Sequence, residues 1–105
     1  MRKDSIFDPV PDGSGEEVFE VLAQSDSVKI ERIVSSGQSS PAEGWYDQAW
    51  NEWVIVLRGD ASIQFEDDVI VDLSEGDYIK IPARKRHRVV STSATPETIW
   101  LAVHY

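Results

Sequence analysis

The residues best suited to chemistry gather between Gly44 and Gly59, GWYDQAWNEWVIVLRG. Three of the four tryptophans fall there, together with the carboxylates of Asp47 and Glu52, the amide of Gln48 and the phenol of Tyr46. Carboxylates and phenols can move protons, and carboxylates and amides can hold a cation. A polar cluster placed directly before an apolar, strand-like run points to a site mounted on a sheet. Trp45, Trp50, Trp53 and Trp100 are candidates for core and interface packing, with Trp45 and Tyr46 also placed to touch a ligand. The chain has two histidines. His87 lies in RKRHR, Arg84 to Arg88, the one strongly basic run. That run reads either as a solvated loop after Pro82 or as a loop that turns Arg84 and Arg86 inward to hold a carboxylate or phosphate. His104 shares a face with Trp100 and Ala102 if its strand is regular, so it looks either into the protein, as a ligand-binding residue, or outward.

Such residues need elements to position them, and the chain reads as mostly strand. MRKDSIFDPVPDG, residues 1–13, carries two prolines and few apolar residues, and is expected to form an extended arm. Residues 14–105 then form one domain. Ser14 with Glu17 has the form of a capping box, and Val18, Phe19, Val21 and Leu22 are at helical spacing, which predicts a short helix over 15–24. VKIERIV, residues 28–34, alternates as a strand with one wet face. SSGQSSPAEG is a loop. Strand patterns follow at 52–57, 61–66, 69–73, 78–81, 87–92 and 98–105, separated by turn residues such as Gly59-Asp60, Asp67-Asp68 and Glu75-Gly76-Asp77. Pro82 ends one of these runs because it cannot donate to a ladder. Short strands at regular spacing imply an antiparallel sandwich or barrel, and the lack of crossover helices excludes parallel α/β.

Composition narrows the function. Ten basic against nineteen acidic residues give a formal charge of −9, which disfavours nucleic acid and anionic membranes as partners. No cysteine is present, so thiolate metal sites and disulfides are excluded. No apolar run approaches a membrane span, and the expected location is cytoplasmic.

The order of the glycines resembles the cupins, small jelly-roll β-barrels. Their first motif reads glycine, five residues, His-x-His, three or four residues, Glu, six residues, Gly. Glu52, six residues and Gly59 match its second half. The second motif reads glycine, five residues, Pro-x-Gly, two residues, His, three residues, Asn. Gly76, Pro82 and His87 fall on it, with Arg84 in place of the inner glycine and Ser91 in place of the asparagine. The two first-motif histidines become Tyr46 and Gln48 in one register, or Trp45 and Asp47 in the other.

In cupins that keep both motifs, two histidines, the glutamate and the later histidine hold a divalent metal. The resemblance therefore implies a metal site of Gln48, Glu52 and His87, with Asp47 as a further ligand, suited to Mn²⁺, Fe²⁺ or Zn²⁺. Asp47 and Gln48 point to opposite faces of a regular strand, so both reach one ion only across a bulge. The other reading is a hydrogen-bonded Glu52–His87 pair in a metal-free cavity. If His104 faces inward, it would substitute for a missing imidazole. Two functions follow: a metal-dependent enzyme on a small organic molecule, with Tyr46 as a catalytic acid–base residue, or a small-ligand binding or sensing module without catalysis. Apolar residues on both faces of WVIVL and VIVDL imply a covered outer surface, and a homodimer is the simplest cover.

Overall fold

The computed structural model describes residues 1–11, 16–41 and 43–105. Among the described residues, eight strands form two antiparallel sheets: β1 (Val18–Gln24), β2 (Lys29–Ser35), β3 (Glu52–Arg58), β4 (Ala61–Phe65), β5 (Ile70–Leu73), β6 (Tyr78–Ile81), β7 (His87–Thr92) and β8 (Thr98–His104). The larger sheet has the order β1-β2-β8-β3-β6 and the smaller β5-β4-β7. The two sheets face each other as in a jelly roll, and their inner side chains make the core.

Seven of these strands fall where the alternation places them, with ends differing by a residue or so. The exception is β1, which replaces the helix expected over 15–24. Ser14 and Gly15, the start of that helix, lie outside the described residues. From Val18 onward the segment pairs with β2, Val18 opposite Val34 through Gln24 opposite Lys29, with a bulge between Val21 and Ala23. The i, i+3, i+4 apolar spacing is real, but Val18, Phe19 and Val21 are also good strand formers. Ladder bonds to β2 outweigh a helix too short to be stable alone.

Period-two alternation decides what each strand sends inward. Val54 and Val56 of β3, Ala61, Ile63 and Phe65 of β4, and Trp100 and Ala102 of β8 are buried in one cluster. Fully burying an aliphatic or aromatic side chain of this size contributes roughly 1.5–3 kcal/mol. On the opposite face of the large sheet, Arg32 is only 5% exposed. Its guanidinium donates to the carbonyls of Ile6 (3.2 Å) and Pro9 (3.0 Å) and to Glu20 (2.6 Å). Arg58 lies over the Phe7 ring at 4.8 Å. The N-terminal arm is thus fastened across the sheet by its main chain and by the Phe7 ring.

Gly59, the last residue of the sequence stretch singled out above, turns β3 into β4 at φ +82°. A Cβ there would collide with Ser93 Oγ and stand 3.0 Å from the Thr98 Cα. Beneath it, Ser93 N donates to the Asp60 carbonyl (3.0 Å) and Thr98 Oγ1 donates to the same oxygen (2.9 Å), tying this turn to the β7–β8 loop. Gly59→Ala meets both a left-handed backbone and a backbone clash. It should lower the unfolding free energy by about 2–3 kcal/mol in urea titration, and a loss below about 0.5 kcal/mol would contradict this account.

Candidate functional site

Register brings the polar residues together. On the inner face of the large sheet His104 stands directly opposite both Lys29 and Glu52, and Glu52 stands opposite Ile81. Glu31 follows Lys29 by two residues and so shares that face. His87 comes from the other sheet, at the start of β7. The loop before β3 crosses the gap: Tyr46 and His87 exchange backbone hydrogen bonds (2.8 and 3.2 Å), and Arg84 N donates to the Gln48 carbonyl (2.8 Å). Arg84 takes φ +67° to do so, at the place where the second motif has its inner glycine. Asn51 Oδ1 accepts from Ala83 N (3.0 Å).

These residues surround a cavity of about 200 Å³. Its polar wall contains Glu17, Glu31, Gln48, Glu52, His87 and His104, with Lys29 and Tyr46 beside them; Phe19, Val54, Ile81 and Trp100 contribute to the apolar wall. His87 Nδ1–H donates to the Lys85 carbonyl (2.9 Å), which fixes the ring and directs Nε2 at Glu52 Oε1, 3.4 Å away. The other oxygen of Glu52 is 3.7 Å from His104 Nε2. His104 Nε2 has its closer contact with Glu31 Oε1, at 2.9 Å. Its Nδ1 is buried without a hydrogen-bond partner among the described residues. The proton therefore sits best on Nε2, where Glu31 accepts it, since an unpaired buried N–H costs more than an unpaired lone pair. Trp50 stacks on His104 at 5.3 Å, and Tyr46 lies 5.6 Å from His87, ring to ring.

Of the residues singled out in the sequence, Tyr46, Gln48, Glu52, His87 and His104 line the cavity. Asp47, on the loop before β3, turns away from the cavity and pairs with Arg84 (3.2 Å) and Arg86 (3.5 Å). Both arginines are more than half exposed, and Arg86 also binds Glu66 at 2.9 Å. Trp45 stacks under Arg88 at 4.9 Å. None of these four lines the cavity. Glu17, Lys29, Glu31 and Trp50 join the site without having been marked as functional. The signal for two of them was in KIERI: the wet face of that strand is the cavity wall.

The comparisons with known proteins agree with this architecture. The profile of the Cupin domain matches residues 31–104. The chain belongs to the cupin family. A candidate mannose-6-phosphate isomerase from Ralstonia eutropha JMP134 is 42% identical and superposes with a TM-score of 0.93, over 99% of this cupin and 97% of that chain. A cupin superfamily protein from Desulfitobacterium hafniense DCB-2 is 24% identical, TM-score 0.75, over 90% and 82% of the two chains. FeII HppE is 17% identical, TM-score 0.73, over 92% of this cupin and 54% of that chain. These last two share the fold. No curated protein matches the sequence.

Cupins often hold a metal, and imidazole with carboxylate is the right chemistry for one. In this cupin, however, no group of three or more His, Asp or Glu among the described residues is arranged to hold an ion. The contacts give the reason: the two imidazoles address opposite oxygens of Glu52, and His104 Nε2 is already committed to Glu31. A metal shared by both imidazoles would require His104 Nε2 to release Glu31.

The His87–Glu52 pair has a consequence for pH. Burial works against the charged imidazole and lowers its pKa, but hydrogen bonds to Glu52 and the Lys85 carbonyl, with the Glu52 charge, outweigh it and raise His87 above the usual histidine value. A raised folded pKa stabilises the protein fully below the unfolded value of 6.5, and that contribution is lost as pH rises through the folded value. Wild-type stability should fall across that window, and His87→Gln should show a flatter profile there. Parallel profiles in pH-dependent urea denaturation would refute the pairing.

Proposed function

We propose that this cupin binds a small hydroxyl-rich carbonyl compound and shifts a proton within it, an aldose–ketose isomerisation carried by Glu52 and His87. The observation that carries the reading is the largely shielded carboxylate of Glu52 and the imidazole of His87, its pKa raised, facing one cavity across 3.4 Å. That contact is long for a hydrogen bond, so a substrate oxygen can compete for it. The name of the 42% identical relative supports the isomerase class.

In the reaction Glu52 removes the proton on the carbon beside the carbonyl, while the His87 Nε2–H gives its proton to the carbonyl oxygen. The enediol so formed is returned the other way. Glu52 delivers its proton to the former carbonyl carbon, and the neutral His87 takes the proton of the neighbouring hydroxyl. Composition is unchanged and no oxidant or reductant is consumed. Tyr46 offers a further acid–base hydroxyl at the cavity wall, and Gln48 hydrogen-bonds substrate hydroxyls. His104, held by Glu31, is a positioning residue for Glu52.

A divalent-metal site is the second reading. What favours it is the tether of His87 Nδ1 to the Lys85 carbonyl, which leaves Nε2 facing the cavity as in metal-bound histidines. Its ligands would be Glu52, His87 and Gln48, with His104 as a substitute imidazole. The expected homodimer belongs to the same proposal: β1 is a sheet edge, and Phe19, Val21 and Leu22 on it are about half exposed, so a second copy is the simplest cover.

In D2O the protein should exchange the proton on carbon 2 of D-mannose and form ketose, as followed by proton NMR. Glu52→Gln and His87→Asn should each slow this by about 10²–10⁴-fold. Saturable binding without exchange would reduce the protein to a binding module. Metal near one equivalent that is stripped by chelator together with the activity, and absent from His87→Ala, would transfer the reading to the metal site. Light scattering should give twice the chain mass, and a monomer would reject the dimer.

A further inference from the structure

We infer that the cavity takes an unphosphorylated sugar and discriminates against its phosphate ester, an inference that rests on the isomerase reading and names its substrate class. Among the described residues, the ionisable groups on the cavity wall are three carboxylates, Glu17, Glu31 and Glu52, against Lys29 and the imidazoles of His87 and His104. Each cation already has a carboxylate beside it, which an incoming anion would have to displace. Lys29 Nζ is 3.8 Å from Glu31 and 5.4 Å from the centre of the Trp50 ring, and His87 faces Glu52.

The other basic side chains that would suit a phosphate lie outside. Arg84 and Arg86 are bound to Asp47 and Glu66, Lys85 to Asp67 at 3.5 Å, and Arg88 to Gln64 at 3.0 Å and the Trp45 ring. The acidic wall therefore repels a phosphate in a partly desolvated space, where like charges interact more strongly than in water. For sugar hydroxyls the same wall is favourable. Carboxylates accept hydroxyl hydrogen bonds, the Gln48 amide both donates and accepts, and Phe19 and Trp100 offer apolar surface to the C–H face of a pyranose ring. The net charge of −9 adds a long-range bias of the same sign.

The test is binding of D-mannose and mannose 6-phosphate to the full chain, by titration NMR at two ionic strengths. Mannose should bind at least about tenfold more tightly than its 6-phosphate, with the gap wider at low salt. Glu31→Gln, which keeps shape and removes charge, should narrow the gap; in Glu17→Gln the change should be in the same direction. Phosphate ester binding as tightly as the free sugar, or a gap insensitive to salt and to both substitutions, would overturn the inference while leaving the proton-transfer site intact. If neither sugar binds, the isomerase reading fails, and the substrate class with it.

Discussion

A carboxylate largely withdrawn from water beside an aliphatic core is tolerable only while something donates to it or balances its charge. Glu52 is in that position. It sits at the start of a strand whose next inward residues, Val54 and Val56, are core, and it meets one imidazole from each sheet. His104 comes to it by ordinary antiparallel register. His87 reaches it only because the two sheets and the loop between them are held at a fixed spacing. The rest of the fold can be understood as what keeps that spacing. The Tyr46–His87 bridge, the Gln48–Arg84 bond and the Asn51–Ala83 bond close one end of the barrel, and the Gly59 turn with its Ser93–Thr98 knot holds the other connection.

Much of this was legible in the sequence, for a physical reason. Strands that are buried on one side must alternate, so β2 to β8 announce themselves, and the glycine and proline punctuation fixes where they turn. The segment 18–24 did not, because Val, Phe and Leu at its particular spacing satisfy a helix as well as a strand. Only the presence of β2 as a pairing partner decides between them, and that is a tertiary fact.

The site was legible in its strand-borne parts. Glu52 and His87 follow from motif spacing, whereas the separation of Asp47 from Gln48 is set by the loop before β3 and the arginines that Asp47 meets. Glu31 and Lys29 did not stand out because charged residues on an alternating strand ordinarily face water. Here the solvent they face is the cavity. The inner glycine of the second motif was also misleading in its absence: Arg84 adopts the left-handed conformation that a glycine would take, at a cost of order 1 kcal/mol, and is held there by its bond to Gln48. What that position preserves is a backbone shape, not a residue type.

Arg32 binds the N-terminal arm through the carbonyls of Ile6 and Pro9, groups that every residue possesses. This part of the attachment therefore reads the path of the chain, and the Phe7 ring under Arg58 is the side-chain contact beside it. Most of the arm is free to change in composition without coming loose, while an insertion or deletion of a single residue between Ile6 and Pro9 would move an acceptor out of reach of the guanidinium. The arm is specified by its length.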